Sequence, residues 1–254
     1  MTRSQLFAKV QTAFEEILEE YHLMDASVTI RARGLSPEEA IGCPERKDFP
    51  ILTGKETMLM AEFRGSKGQA FTDAPAQFSG PLQEILHMDL EQNPHARGLF
   101  IASLNAVMHH LGLSENAVHC RNDGPEFCAK CMVEWVREQF GAPRIALVGF
   151  QPALIGGLSK AFQVQVLDLN PDNIGKVKDG CPVRDGVKDQ KAVLDWADLV
   201  LCTGSTLCNG TLEDFMDLDK PVVFFGTTLS GAAPLLGLRR ACFADRAFQR
   251  EREA

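Results

Sequence analysis

The chain has 254 residues, 45% hydrophobic and 24% charged, with a net charge of −8 and eight cysteines. That length holds one large α/β domain or two smaller ones with real cores. The acidic balance, with no basic stripe, excludes a nucleic-acid backbone as the main partner, because phosphate binding needs clustered Lys and Arg. The opening MTRSQLFAKVQTAFEEILEEY sets glutamates where a secretion signal needs an unbroken apolar core. No window approaches the roughly 18 apolar residues of a membrane span. The expectation is a cytoplasmic protein with no membrane partner, its cysteines free thiols, ligands or packing residues rather than a disulfide framework.

The first element is a helix: Leu6, Phe7, Val10, Phe14, Ile17, Leu18 and Tyr21 recur at helical spacing between glutamates. SVTIRARG alternates, with Val28, Ile30 and Ala32 on one face, and TMLMAEFRG is a second strand candidate. GCPERKDFPILTGKE and GSKGQAFTDAP read as polar loops, so residues 1–92 form a small α+β domain. Asn93-Pro94 is an N-cap followed by proline at the first helical position. The helix it starts runs through ARGLFIASLNAVMHHL and stops at Gly112, apolar over most of its circumference, with one ring of the His109-His110 pair expected to face inward. The domain boundary is placed just before it, a break near Gly141-Ala142-Pro143 being the alternative. From Arg144 onward RIALVGF, QVQVLDL, DLVLCTG and PVVFFGT read as strands buried on both faces, with helices near 153–162, 188–196 and 212–218 between them. This alternation predicts a parallel sheet with right-handed crossovers and flanking helices over residues 93–254.

Each of the four strands ends in a small or polar loop: GFQPALIGG, DLNPDNIG, TGSTLCNGT and GTTLSGAA. Ligands of open parallel sheets bind outside the carboxyl ends of the strands, so the four loops are expected to converge on a small-molecule pocket. Its candidate residues are Gly149, Gln151, Asp168, Asn170, Thr203, Gly204, Ser205, Asn209, Gly226, Thr227 and Thr228. The glycines allow close backbone approach and the hydroxyls and amides supply adaptable donors and acceptors. No dinucleotide fingerprint or phosphate-loop lysine is present. Asp168, 19 residues after Gly149, reads equally as a ribose-binding acid or as the cap of its own turn. There is no hydrolase elbow or zinc-protease motif.

The segment 119–131, HCRNDGPEFCAKC, holds three cysteines and a histidine. GPEFCAKCMVEWVREQFG reads as a helix from about Pro125 to Gly141, with Cys128, Cys131, Met132, Trp135, Val136 and Phe140 on one face. That register favours packing for the CxxC, which also lacks the second ligand pair of a zinc knuckle. His119 and Cys120 precede the helix in a polar segment. They are either metal ligands, joined by Cys208 from a strand-end loop, or the buried end of a short strand AVHC.

PERKDFPILTGKE, GSKGQAFTDAP, LNAVMHHLG, HCRNDGPEFCA, GFQPALIGGL, DLNPDNIG, TGSTLCNGT and GTTLSGAAPLLGL occur in this order. Together they resemble the heavy-metal chelation family, catalogued as having unknown function. The resemblance spans most of the chain and implies an N-terminal domain like that of enolase followed by a Rossmann-like domain. It implies metal handling, with a tetrapyrrole or other metal cofactor as the related chemistry, and places the family's motif positions, His119 and Cys120 among them, at the strand-end cleft. Cys131 is not part of the family pattern. No catalytic residues carry over.

Two functional readings follow. In the first, the chain binds a transition metal ion or a metal complex, with His119, Cys120 and Cys208 as soft ligands suited to zinc, copper or nickel. In the second, it is an enzyme holding a nucleotide-like or S-adenosylmethionine-like cofactor in the same cleft. The N-terminal domain is left to build a homo-oligomer interface or to close the cleft, GSKGQAFTDAP serving as a lid with Gly65 and Gly68 as flexible points.

Overall fold

The computed structural model describes residues 1–24, 29–54 and 56–253, and Val28 of the first strand reading lies outside the described residues. Helix α1 (Arg3–Glu20) opens with a capping box between Thr2 and Gln5 and buries Leu6, Phe7, Val10, Phe14 and Leu18. Strand β1 (Thr29–Leu35) is followed by the short α2 (Pro37–Ile41), then by β2 (Thr57–Phe63), β3 (Ser66–Thr72), β4 (Phe78–Pro81) and α3 (Leu82–Leu86). The four strands form an antiparallel sheet in the order β3-β2-β1-β4.

The segment GSKGQAFT, read above as a polar loop and possible lid, is strand β3. Its Ser, Lys and Gln hide the strand from a hydropathy reading. The hairpin is closed by Arg64 and Gly65, whose φ values of 49° and 83° suit the mirror-image turn that matches strand twist. Gly68 is no hinge: a Cβ there would run into Ala106 N and Ala102 O of the following helix, so glycine is what lets that helix lie directly on the strand.

That helix, α4 (Pro94–His110), is capped as expected by Asn93, whose Oδ1 accepts N–H bonds from His95 and Ala96. It packs on β2 and β3 and also meets two short helices from the C-terminal part of the chain. Neither ring of the histidine pair is buried. The last helical turn projects past the sheet, His110 Nδ1 lying 3.3 Å from Ser66 Oγ and His109 Nδ1 3.4 Å from the Ser114 carbonyl.

Helix α5 (Gly124–Phe140) leads into β5 (Ile145–Val148), α6 (Pro152–Leu158), β6 (Val164–Asp168), the hairpin β7 (Val177–Lys178) and β8 (Cys181–Asp185), α7 (Gln190–Trp196), β9 (Leu199–Thr203), α8 (Ser205–Asn209), β10 (Val222–Phe225), α9 (Ala232–Leu236), β11 (Arg240–Ala241) and α10 (Ala244–Glu253). The strands form a seven-stranded sheet, β11-β10-β9-β5-β6-β8-β7, parallel except for β7. The expected helix at 212–218 is one 3₁₀ turn (Leu212–Phe215) without a side-chain cap, and the helical turn α8 sits inside TGSTLCNGT.

Alternation along the central strands explains their double burial. Ala146, Val148, Val200 and Cys202 join α1 and α4 in one core, while Ile145, Leu147, Leu199 and Leu201 join Met132, Val136 and α6 in another. The first core also contains Leu59, Ala61 and Ala70 of the small sheet, so one apolar cluster runs through both sheets. Among the described residues no helix is long and apolar enough to cross a membrane.

Candidate functional site

The strand order reverses beside β5: β6 and β8 extend the sheet to one side, and the chain then returns to place β9 on the other. At such a switch point the loops diverge and leave a crevice. Here Gly149, after β5 with φ 98°, lies so close to the end of β9 that a Cβ would stand 2.8 Å from Thr203 Cγ2. The crevice opens into a cleft of about 1030 Å³, at the upper end of ordinary ligand-site volumes, roughly 300–1,000 Å³.

Ten of the eleven sequence-nominated pocket residues line this cleft: Gly149, Gln151, Asp168, Asn170, Thr203, Ser205, Asn209, Gly226, Thr227 and Thr228. Gly204 does not, being packed behind it against Leu229 and Phe225. Much of the polar lining is already ordered by internal bonds. Asp168 accepts from Phe150 N (3.0 Å), Asn170 N (2.9 Å) and Asn173 Nδ2 (3.1 Å), the pattern of a turn cap that also ties β6 to the end of β5. Thr203 Oγ1 accepts from Ser205 N, and Thr228 Oγ1 accepts from Phe71 N on β3. Gln151 Oε1 and Thr227 Oγ1 are buried and have no hydrogen-bond partner among the described residues. Unmatched buried acceptors are uncommon and call for a ligand or water.

The far wall of the cleft comes from the N-terminal part of the chain, which the pocket nomination did not reach. Phe49, Ile51, Glu56, Phe71 and Asp73 line it, with Arg97 at the start of α4. Glu56 is open to the cleft, yet protein encloses it and the charges of Asp168 and Asp73 face it. Enclosure first, then those charges, push its carboxyl up to about 7. Near neutral pH it can therefore donate or accept a hydrogen bond. Arg97 is buried and donates to the carbonyls of Cys208, Leu90 and Glu91, pinning the TGSTLCNGT loop to the loop before α4. The sequence signal for this wall is only the family resemblance of PERKDFPILTGKE and GSKGQAFTDAP; no single acid in them stands out.

Of the nominated metal ligands His119, Cys120 and Cys208, the first two line a common side pocket and the third lies apart from them. His119 lines the cleft, half-buried, with Nδ1 2.6 Å from the Cys120 carbonyl. Burial depresses its pKa to about 4, so the imidazole is neutral, Nδ1–H is the donor and Nε2 keeps its lone pair. Cys120 lies in a side pocket beside Cys128. Cys208 is in the apolar core, its thiol pushed up to about 12 by burial. Among the described residues no group of three or more His, Cys, Asp or Glu is arranged to hold a metal ion. The physical reason is α8, which turns Cys208 inward while its neighbours Ser205 and Asn209 line the cleft. The short strand AVHC, the alternative reading, is not formed either.

Residues 133–239 match DUF364. This family is described as "Putative heavy-metal chelation", so the family that the motifs resemble and the family matched are the same. The DUF364 stretch runs from α5 through all four strand-end loops, while His119, Glu56, Asp73 and Arg97 come from outside it. Among solved structures, a DUF364-family protein of unknown function from Pyrococcus horikoshii aligns over 88% of this chain and 79% of its own, with a TM-score of 0.53 and 16% identity. At that identity the likeness shows the fold alone. A DUF364-family protein of unknown function from Desulfitobacterium hafniense DCB-2 aligns over 88% of this chain and 83% of its own, with a TM-score of 0.48 and 13% identity. No curated protein matches the chain.

Proposed function

We propose that the cleft binds a small polar molecule that carries a metal, a metal complex rather than a bare ion. The observation that carries this is the cleft itself: a cofactor-sized space at the strand-order switch, walled by hydroxyls, amides and carboxylates. The residues present do not gather around a bare ion there: His119 and Cys120 share the side pocket, Cys208 lies in the apolar core, and among the described residues no three His, Cys, Asp or Glu are arranged to hold an ion. A complex brings its own donors and asks the protein only for hydrogen bonds and shape. Gln151 Oε1 and Thr227 Oγ1, both unpaired, and Glu56 near neutrality suit such a ligand. The DUF364 description supports the metal as part of the cargo.

The same cleft supports a second reading, an enzyme with an adenosyl cofactor, because a strand-order switch is where such cofactors sit. Against it, the carboxylate of Asp168, the one ribose-binding candidate, already accepts three N–H bonds.

Thermal-shift measurements on the full chain separate the readings. The ligands are free copper, nickel and zinc ions, metallated and metal-free tetrapyrroles, and S-adenosylmethionine. A ligand at a hundred times its dissociation constant stabilises by about 2.7 kcal/mol. The metallated complex is expected to raise the melting temperature, and the raise is expected to shrink in Thr227→Val. Replacing that unpaired hydroxyl with an isosteric methyl leaves the unliganded protein no less stable. A shift with S-adenosylmethionine alone, or a shift indifferent to Thr227→Val, overturns the proposal.

A further inference from the structure

Beside the cleft lies a second, smaller pocket of about 60 Å³, lined by Cys120, Cys128, Cys242 and Met132 and sharing His119, Gln151 and Thr227 with the cleft wall. The sulfurs come from three separate places in the chain: the loop before α5, the first turns of α5, and the segment between β11 and α10. Cys128 Sγ is 3.5 Å from Cys120 Sγ. Ala244 and Ala247 complete the small apolar cluster around them. Gly124 makes the approach possible, since a Cβ there would be 2.9 Å from Cys120 Cβ.

The CxxC of α5 is thus split by the fold. Cys131 packs in the core with Met132 and Val136, whereas Cys128 turns to Cys120 across the loop. Helical register alone assigns both cysteines to packing and hides this pairing.

We infer that Cys120 and Cys128 form a binding site for a soft monovalent ion, copper(I), with Cys242 and the thioether of Met132 beside it. Soft sulfur donors select copper(I), whereas magnesium and calcium take oxygen donors. Structural zinc needs four ligands in a tetrahedron, and among the described residues not even three candidate donors are so arranged. Copper(I) is satisfied by two thiolates. On binding, two S–Cu bonds form and two thiol protons leave to solvent; the ion enters and stays monovalent, so no electron is transferred. Because binding releases thiol protons, affinity should rise with pH as protons compete less well. This site stands independently of what occupies the cleft.

The test is a competition titration of the reduced full chain against a chromophoric copper(I) chelator, without oxygen, followed also by the ultraviolet thiolate-to-copper band. The chain is expected to withdraw one equivalent, more tightly at pH 8 than at pH 6. Cys128→Ala should weaken binding by more than about a hundredfold, beyond the usual cost of losing a supporting group, and abolish the ultraviolet band. Cys43→Ala, at an exposed cysteine, should change nothing. Cys128 is only half-buried, so its variant decides the matter even where Cys120→Ala fails to fold, and far-UV circular dichroism verifies the fold of each. No withdrawal by the parent chain, or withdrawal undiminished in Cys128→Ala, overturns the inference.

Discussion

Glu56 and His119 both line the cleft, and the protein around each disfavours its charged form, for Glu56 together with the charges of Asp168 and Asp73. Their effects on stability have opposite signs. Glu56 ordinarily titrates at 4.5 and is raised to about 7. Between those values the folded chain keeps a proton that the unfolded chain releases, so this group's contribution falls as pH rises through the window. His119 ordinarily titrates at 6.5 and is lowered to about 4. Between those values the unfolded chain takes up the proton, so stability is lost as pH falls. Melting temperatures of Glu56→Gln should therefore decline less than those of the parent between pH 5 and 7. Those of His119→Gln should decline less between pH 6 and 4.5. A Glu56→Gln profile parallel to the parent's would mean that the carboxyl is not raised. Neither behaviour is legible in the sequence, because it arises from walls contributed by residues more than a hundred positions apart.

Elements with strong periodicity were legible: α1, α4, α5 and the four central strands appear where their apolar spacing puts them. β3 was not, because its apolar content is small and its stability comes from what lies on it. Gly68 sits under α4, and the strand is held at the far end by the bond from Phe71 N to Thr228 Oγ1. This placement makes a sharp contrast testable. Gly68→Ala should force the helix off the strand and cost about 1–3 kcal/mol or more, as overpacked sites do. Gly54→Ala, at φ 73° with open space around it, should cost only about 1 kcal/mol of backbone strain. Urea midpoints compare the two. Because β3 leads directly into Asp73 on the cleft wall, Gly68→Ala should also weaken ligand binding, while Gly54→Ala tests strain without helix displacement. Equal losses in the two variants would remove the close helix–strand approach as the reason for glycine at 68.

At the scale of the molecule, composition and strand pattern divide the chain near residue 93, but the contacts across that point are those of a core. One apolar cluster includes both sheets, and at its centre Asn105 of α4 is fully buried. Its Nδ2 donates to the carbonyls of Gln69, Thr227 and Thr228, and its Oδ1 accepts from Gly231 N at 2.7 Å. One side chain therefore joins β3 to the loop after β10, and through Gln69 Oε1, which accepts from His119 N, to the segment carrying the copper-site cysteine Cys120. Nothing in the sequence distinguishes this asparagine from a polar residue on a helix surface; only the facing of two sheets gives it four partners. The whole chain is expected to unfold in one transition, because neither sheet can leave without exposing the shared cluster. Trp135 and Trp196 both lie beside the large sheet, so their fluorescence reports that sheet while far-UV circular dichroism reports both. The two urea curves should coincide. Asn105→Ala strands Gly231 N–H and up to three carbonyls at once, a loss of about 3–5 kcal/mol by the cost of unpaired buried groups. It should lower both midpoints together, since both sheets lose the same partner. Curves that separate in the parent chain would show instead that the two sheets are energetically independent.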